Sequence, residues 1–322
     1  MLDQNDFQQT VPNVLKKFAL LLGTELKNRR LDIPERFGKG YCAGYVFNEH
    51  IRMLVLNYEL NKDFVIVNPD IHTFGTMILF KFQNIFPKIE YISKGNQIKA
   101  IPSVLIATSN MNTEVIIPID TTTSSINIEV DATYLNGLVD FTEKSPALQG
   151  LLQNTQPLLF EQMIYPSLQR IVDEIVNEAV DETFELFYLR VKAEELVCRL
   201  LMELEKRDEK RLYALNSQDI RTLYKVKEHI LKHPETPPVI QELADTANMS
   251  ASKLKRLFKQ IFGNSIFSYY QEFRMKEAAR LLIEEKLSVS EVGYQLGFTN
   301  LSHFTKVFHE HTGMNPKQYS RS

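Results

Sequence analysis

Cysteine is scarce in this 322-residue sequence, and its two cysteines, Cys42 and Cys198, lie 156 positions apart with no CxxC pair. This spacing argues against a disulfide framework and against a structural zinc site. No run of residues approaches the roughly 18 apolar positions that a membrane helix needs. The N-terminus, MLDQNDFQQT, lacks the basic stretch and apolar run of a secretion signal. We therefore expect a cytoplasmic protein without a membrane span.

Histidine is also sparse before residue 219, where only His50 and His72 occur. A metal-dependent cupin needs at least two histidines at HxH spacing together with a carboxylate, and a methyl-accepting repair regulator needs a cysteine cluster. Because the sequence offers neither pattern, we expect no metal site, no cofactor, no catalytic residue and no enzymatic activity.

The composition is that of a globular protein, with 44% hydrophobic and 24% charged residues, and the length favours two domains. The net charge of −3 is unevenly divided. Residues 219–322 carry 15 Lys and Arg against 11 Asp and Glu, which leaves 22 basic and 29 acidic residues upstream. A basic module joined to an acidic one fits a polyanion-binding unit attached to a part that does not bind polyanions.

Short β-branched or aromatic runs, separated by turn residues, fill residues 36–131. Eight such runs without helical patterns between them predict a small antiparallel barrel or sandwich, which can enclose a small ligand. The runs are YCAGYVF, IRMLVLNYEL, DFVIV, TMILFKF, IEYI, VLIAT, EVIIPI and INIEV.

Apolar residues recur at helical spacing over residues 132–206, which predicts amphipathic helices that follow the sheet. Two apolar stripes, one from Ile164 to Val176 and one from Leu186 to Leu204, predict two long amphipathic helices. Both stripes pack on the sheet, or one of them also forms a dimer seam. Residues 207–218 are charged and lack a sustained stripe, so we place a linker there. The predicted fold class is α+β, with an N-terminal domain over residues 1–218 and an all-helical domain over residues 219–322.

The last hundred residues nearly repeat themselves at an offset of 50. The pattern S-x-L-x-R-x-F-x4-G of residues 252–263 aligns with S-x-F-x-K-x-F-x4-G of residues 302–313. Small polar, apolar, basic, aromatic and glycine positions therefore keep their register. A repeat of this kind predicts two copies of one structural unit.

Just upstream, the offset between the copies is 49. The small residues Ala244 and Gly293 align there, as do the turn residues Asn248 and Gly297, which tolerate positive φ. A small residue lets two helices approach closely, and a turn residue permits a sharp reversal. Each copy therefore predicts a helix-turn-helix. The two units cover residues 240–262 and 289–312.

The second helix of each copy has a polar outer face. In the first copy this face holds four cations and a hydroxyl with no acid, and in the second it holds two histidines, a lysine, a serine and a leucine. A single basic face is usually a solvated surface, whereas two in register favour docking into the major groove, which is wide enough for one helix. The outer residues are Ser252, Lys253, Lys255, Arg256 and Lys259, then Leu301, Ser302, His303, Lys306 and His309.

Two longer motifs make a resemblance specific. They are Arg274-x3-Ala278-x2-Leu281-Leu282 and Gly297-Phe298-x3-Ser302-x-Phe304-x3-Phe308-x4-Gly313-x2-Pro316-x2-Tyr319. With them, residues 223–322 resemble the DNA-binding domain of the AraC/XylS family of bacterial transcription regulators. The resemblance implies two recognition helices in successive major grooves, joined by a helix over residues 266–285.

The resemblance also implies roles for particular side chains and implies double-stranded promoter DNA as the partner. RNA polymerase would be a second partner if the protein is an activator. The implied base-reading residues are Ser252, Lys255, Arg256, Leu301, Ser302, His303 and Lys306. The implied phosphate contacts are Lys253, Lys259, Thr299 and Asn300.

The N-terminal runs GKGYCAGYVFNEHIRMLVLNYELNKDF and FELFYLRVKAEELVCRLL are similar to the sensor part of siderophore-responsive regulators of the pyochelin-regulator group. This similarity implies a barrel that binds a small, siderophore-like effector, followed by helices that form a homodimer. The candidate effector pocket comprises Tyr41, Tyr45, Phe47, Arg52, Leu54, Leu56, Tyr58 and Phe80.

Two questions about this half stay open at the level of sequence. The apolar and aromatic pocket candidates either line a ligand site or belong to the core of the sheet. Arg52 either meets an acidic ligand or faces solvent. The sequence predicts an effector-responsive activator of transcription. The alternative is a regulator controlled by a protein partner or by dimerisation alone, with no small-molecule ligand.

Overall fold

A computed structural model describes residues 10–61, 76–86, 102–111, 122–139 and 144–321. The chain forms two compact units, Met1–Asn216 and Ser217–Ser322. The helix that opens the second unit begins two residues before the boundary expected at residue 219. Across the described ranges, no helix is both long enough and apolar enough to cross a membrane.

The N-terminal unit is built on an antiparallel sheet. Its strands lie in the order β1-β2-β3-β6-β4-β5-β7, and within the described residues β1 and β7 do not pair, so they form an open sheet. The strands are β1 (Arg30–Asp32), β2 (Gly38–Val46), β3 (Ile51–Leu60), β4 (Met77–Gln83), β5 (Ser103–Ala107), β6 (Thr122–Asp131) and β7 (Leu159–Met163).

The antiparallel sheet followed by helices confirms the predicted fold class of this half. Five of the eight predicted strand runs coincide with β2, β3, β4, β5 and β6. The other three, at residues 63–67, 89–92 and 114–119, lie outside the described residues. The short strands β1 and β7 do not coincide with any of the predicted runs.

Helices cover one face of this sheet. Alternate residues of the central strands, such as Phe80, Ile126 and Ile128, are fully buried and share a core with the helices that follow β6. The stripe expected from Leu186 to Leu204 lies in this core. These helices are α2 (Ala132–Leu138), α3 (Pro146–Gln153), α4 (Pro166–Asn177) and α5 (Glu182–Glu205).

The first helix, α1 (Asn13–Leu22), packs on the opposite face, over β1 to β3. Its residues Leu15, Phe18 and Leu22 form a separate apolar cluster with Cys42 and Tyr58. The helix ends at a glycine in the left-handed region. The β1–β3 part of the sheet is therefore covered on both sides.

The C-terminal unit is helical, as predicted, and confirms the second part of the fold class. Its longest helix, α9, joins two copies of a short helix followed by a 12-residue helix. The helices are α6 (Ser217–Lys232), α7 (Ile240–Thr246), α8 (Ala251–Phe262), α9 (Ile266–Ile283), α10 (Val289–Gln295), α11 (Leu301–Thr312) and α12 (Pro316–Tyr319).

Candidate nucleic-acid interface

The first helix-turn-helix is formed by α7 and α8. Ala244, at the middle of α7, is completely buried. The turn passes through Asn248 at φ 51°, and the N–H of Met249 donates to the carbonyl oxygen of Ala244 over 3.0 Å. Ser250 then begins α8 by accepting a hydrogen bond from the N–H of Lys253 at 3.2 Å. The positive φ predicted at Asn248 is confirmed.

The second helix-turn-helix, α10 and α11, repeats this geometry. A Cβ atom on Gly293 would lie 2.6 Å from Cδ2 of Leu301, so any larger residue here would require the Leu301 side chain to move. Gly297 adopts φ 78°, as predicted, and the N–H of Phe298 donates to the carbonyl oxygen of Gly293 over 2.9 Å. The two turns therefore close with the same hydrogen bond.

The inner faces of α8 and α11 are buried as the sequence predicts. The apolar residues of α8 and α11 pack against the other helices of the C-terminal unit. A partner can therefore approach α8 and α11 from their opposite, polar faces. The buried residues are Leu254, Leu257, Phe258 and Ile261 in α8 and Phe304, Val307 and Phe308 in α11.

Arg274 of α9 holds the turn of the second helix-turn-helix in place. Its guanidinium donates to the carbonyl oxygen of Leu296 and stacks 3.9 Å from the ring centroid of Phe298. The side chain is buried, and this burial lowers the pKa of Arg274. The sequence motif identified Arg274, but only the structure shows that it holds the end of α10. The helix α9 ends at Ile283, two residues before the expected end.

The outer face of α8 brings the predicted cations together. Ser252, Lys255 and Arg256 are exposed, and Lys253 and Lys259 are half-buried. No acidic residue occurs in α8, so the helix itself contributes only positive charge to this face. A helix face of this composition attracts a polyanion and can donate hydrogen bonds to base edges.

Asp219 is a charged neighbour of this face that the sequence did not reveal. Its carboxylate, 14% exposed, lies 2.8 Å from Nζ of Lys253. Asp219 precedes Lys253 by 34 positions on another helix, so no local pattern could predict the contact. A phosphate that binds Lys253 must therefore compete with Asp219.

The outer face of α11 differs in chemistry. Ser302, His303 and Lys306 are exposed, whereas Leu301 is half-buried and lies near Gly293. An open hollow of about 420 Å³ lies on this face. It is lined by Ser302, Thr305, Lys306, His309, Glu310 and Asn315. Thr305 and Glu310 are lining residues that the sequence did not single out.

The residues before α11 have two kinds of environment. Thr299 is exposed. Asn300 caps α11, because its Oδ1 accepts hydrogen bonds from the N–H groups of Ser302 at 2.9 Å and His303 at 3.2 Å. Its side-chain oxygen is thus engaged in the helix cap, which leaves the amide nitrogen for an outside acceptor. The base and phosphate roles of these residues stay predictions.

The eight candidate effector residues do not share one face of the sheet. Tyr41, Tyr45, Phe47 and Phe80 pack in or against the core beneath helices α2 to α5. The remaining four, Arg52, Leu54, Leu56 and Tyr58, alternate along β3 with the core residues Ile51, Met53 and Val55 and therefore lie on the opposite face. Their role in ligand binding stays a prediction.

A family model described as a helix-turn-helix domain matches residues 243–322. An uncharacterized HTH-type transcriptional regulator of Haemophilus influenzae is 32% identical over 111 residues, which are 34% of this chain and 36% of the relative. The regulatory protein PchR of Pseudomonas aeruginosa is 30% identical over 75 residues, 23% of this chain and 25% of the relative.

A solved structure of a transcriptional regulator from Chromobacterium violaceum, described as an AraC-type DNA-binding domain-containing protein, is 26% identical. It covers 33% of this chain and 95% of that chain, at a TM-score of 0.31. The chain spans roughly a quarter to a third of the length of the curated relatives it matches. The match to PchR covers 75 residues, too few to span the N-terminal unit, so the similarity of that unit to the pyochelin-regulator group stays a prediction.

Proposed function

The C-terminal unit is a helix-turn-helix domain of the AraC type, and on this premise we propose that the chain is a sequence-specific DNA-binding transcription regulator. The observation that carries the proposal is the outer face of α8, where four cations and a hydroxyl occur without an acid, together with the same helix-turn-helix geometry at α11.

In the proposed complex, α8 and α11 each enter a major groove. Lys255 and Arg256 donate to guanine edges, Ser302 and His303 hydrogen-bond to bases, and the apolar side chain of Leu301 meets a thymine methyl group. Because B-DNA repeats its groove about every 34 Å, the two helices would read one face of the duplex.

We expect Arg256→Ala to weaken binding to the preferred site by about 1–3 kcal/mol and to relax selectivity at one base pair, since a guanidinium that reads guanine is lost. Lys259→Ala is the matched control on the same face. As a phosphate contact, it should weaken binding to all sequences alike and reduce the salt dependence. Titrations of both variants against the site and against scrambled DNA, at two salt concentrations, measure the difference.

The site itself is obtained by mixing the full chain with fragmented DNA from the source genome and sequencing what is retained. A discrete sequence spanning two major grooves, with affinity that falls steeply as salt rises, supports the proposal. Salt-insensitive binding or no binding contradicts it. In that case the repeat would serve as a helical interaction module.

The proposal includes a homodimer formed through α5. The Leu186–Leu204 stripe of α5 is buried in its own unit, but the opposite side of the helix carries a second, exposed apolar row at spacings of three, four and seven residues. An exposed apolar row at this spacing is typical of a helix that pairs with another copy. It consists of Phe184 (62% exposed), Phe187 (71%), Val191 (44%) and Cys198.

We expect Val191→Glu to weaken dimerisation about tenfold or more, because it places a charge at the centre of an apolar seam. Sedimentation over a concentration series gives the dimer constant. Cys198 is exposed whereas Cys42 is buried, so a short bismaleimide should link two wild-type chains through Cys198.

Leu138→Glu is the control for this variant, since Leu138 is an equally exposed apolar residue (60%) outside α5. It should leave dimerisation unchanged. A wild-type chain that stays monomeric at every concentration, or equal effects of the two variants, would exclude α5 as the seam.

The proposal also includes control of transcription by a small-molecule effector bound in the N-terminal unit, with the protein acting as an activator in the cytoplasm and contacting RNA polymerase. An effector can shift the protein only if it binds the active arrangement more tightly than the inactive one. Control by a protein partner or by dimerisation alone is the alternative. If DNA occupancy is the same with and without a small molecule that binds the N-terminal unit, that alternative is favoured.

A further inference from the structure

One cation of the α8 face is already paired inside the chain. Nζ of Lys253 lies 2.8 Å from a carboxylate oxygen of Asp219 on α6. The side chain of Lys253 is 40% exposed, so an outside anion can reach it, whereas that of Asp219 is 14% exposed. A DNA phosphate and Asp219 therefore have the same ammonium group as their target.

The packing of α6 on α8 holds Asp219 in place. Ile220, the next residue of α6, is completely buried, and the rings of Tyr224 and Phe262 lie 5.7 Å apart between the two helices. Asp219 also makes further interactions of its own. Because its position does not depend on Lys253 alone, the carboxylate stays beside the α8 face when the lysine side chain moves.

Both members of the pair lie in the first turn of a helix. Asp219 lies in the first turn of α6, where the positive end of the helix dipole stabilises a carboxylate. Lys253 lies in the first turn of α8, where its N–H donates to the capping residue Ser250 and where the dipole disfavours a cation. Asp219 offsets this unfavourable charge as long as no other anion is bound to Lys253.

An ion pair of this exposure is weak, because water and salt screen it, and an outside phosphate can displace it. A cation that binds a phosphate releases a counterion from DNA, and each such contact changes the slope of log affinity against log salt by about 0.9. Lys253 must exchange Asp219 for the phosphate first, and this exchange cancels much of the gain. The position of Asp219 therefore affects how much the α8 face contributes to DNA affinity.

We propose that Asp219 is a built-in competitor of DNA phosphate for Lys253 and thereby limits the affinity of the α8 face for any polyanion. Asp219 acts through Lys253 and is a positioning residue, not a DNA contact. Because every sequence carries phosphates, the limit acts on specific and non-specific DNA alike and leaves the choice of sequence to base contacts such as that of Arg256. The consequence for promoter binding rests on the proposed function, whereas the competition itself concerns any polyanion.

The first test measures the affinity of the full chain and of Asp219→Asn for a mixed-sequence DNA duplex over a salt series. Asparagine keeps the size of the side chain and removes its charge. We expect the variant to bind about three- to tenfold more tightly near physiological salt, with a salt slope steeper by about one unit, since the freed Lys253 contacts a phosphate. Unchanged affinity and slope would overturn the proposal.

Glu228→Gln is the matched control, because it removes the same charge from the same helix. Glu228 is exposed and lies nine residues beyond Asp219, which places it on the opposite side of α6. This variant should change DNA affinity by less than about twofold, since salt screens a charge that lies away from the α8 face. Equal gains in the two variants would show that only net charge matters, and the proposal would fail.

The second test repeats the Asp219→Asn substitution in a Lys253→Met chain, which keeps the length of the side chain and lacks the ammonium group. The gain in affinity and in salt slope should be clearly smaller there, because no cation is freed. An equal gain with and without Lys253 would mean that Asp219 acts only by repelling DNA, and this result would overturn the competition for Lys253.

Retention on heparin, a polyanion without bases, separates this inference from the proposed function. Asp219→Asn should elute at higher salt than the wild-type chain, and Glu228→Gln should elute with it. If Asp219→Asn elutes later but no discrete DNA site is found, the proposed function fails and the competition stands. If the wild-type chain binds a discrete site but Asp219→Asn changes neither DNA affinity nor elution, the competition fails and the proposed function stands.

Discussion

A Gly297→Ala variant loses about 3–5 kcal/mol of the stability of the C-terminal unit. Gly297 lies in the left-handed region, and an added Cβ would stand 2.1 Å from the carbonyl oxygen of Glu235. The carbonyl carbon and Cα of Glu235 lie within 3.0 Å as well. Because all three atoms belong to the backbone, no side-chain rotation relieves the clash. Urea unfolding of the full chain, followed by helix signal, measures the loss.

Gly313→Ala separates this clash from backbone strain. Gly313 has nearly the same conformation, φ 74°, but a Cβ there would meet no atom within 4 Å. The substitution should therefore cost only the strain of the left-handed region, about 1–2 kcal/mol. Equal losses in the two variants would show that the contact with Glu235 adds nothing.

Phe304→Ala has the second largest expected effect. Phe304 is completely buried, its ring centroid lies 5.2 Å from that of Phe298 and 5.8 Å from that of Phe308, and Gly293 lies directly beneath it. Truncation leaves a cavity in the small core that positions α11, at a cost of about 3–5 kcal/mol. Thermal unfolding measures this cost, and DNA titration of the folded variant shows whether α11 still reads its site.

Phe267→Ala is the control, because Phe267 belongs to the same unit but is 54% exposed. Its substitution should change stability by no more than about 0.5 kcal/mol. A comparable loss in both variants would mean that the cluster around Phe304 is not what holds α11.

The C-terminal unit could be predicted closely because its determinants are local and occur twice. Asn248 and Gly297 were identified as turn residues because they align in the repeat and are residue types that tolerate positive φ, and both have positive φ. The inward positions of α8 and α11 followed from helical periodicity. Contacts between distant parts of the chain, such as Lys253 with Asp219, had no local signal and appeared only in the structure.

The N-terminal unit was predicted less completely, since the faces of its sheet depend on register between strands. Tyr45 pairs with Met53, and this pairing places Leu54 on the other side. Strand periodicity gives the alternation but not which face is covered. Ser125 and Asn127 alternate with the core residues Ile126 and Ile128 and are buried as well, which alternation alone does not predict.

The contact between Gly297 and Glu235 also determines how the C-terminal unit unfolds. Glu235 precedes the first helix-turn-helix, whereas Gly297 forms the turn of the second, and Tyr270 of α9 donates to the neighbouring carbonyl of Pro234 over 2.9 Å. The first segment of the unit thus supports the last. The two copies should melt as a single cooperative block, with amide protons in α8 and α11 exchanging at one common rate under conditions that report global opening. A protease cut between α8 and α9 should release neither copy as an independently folded piece.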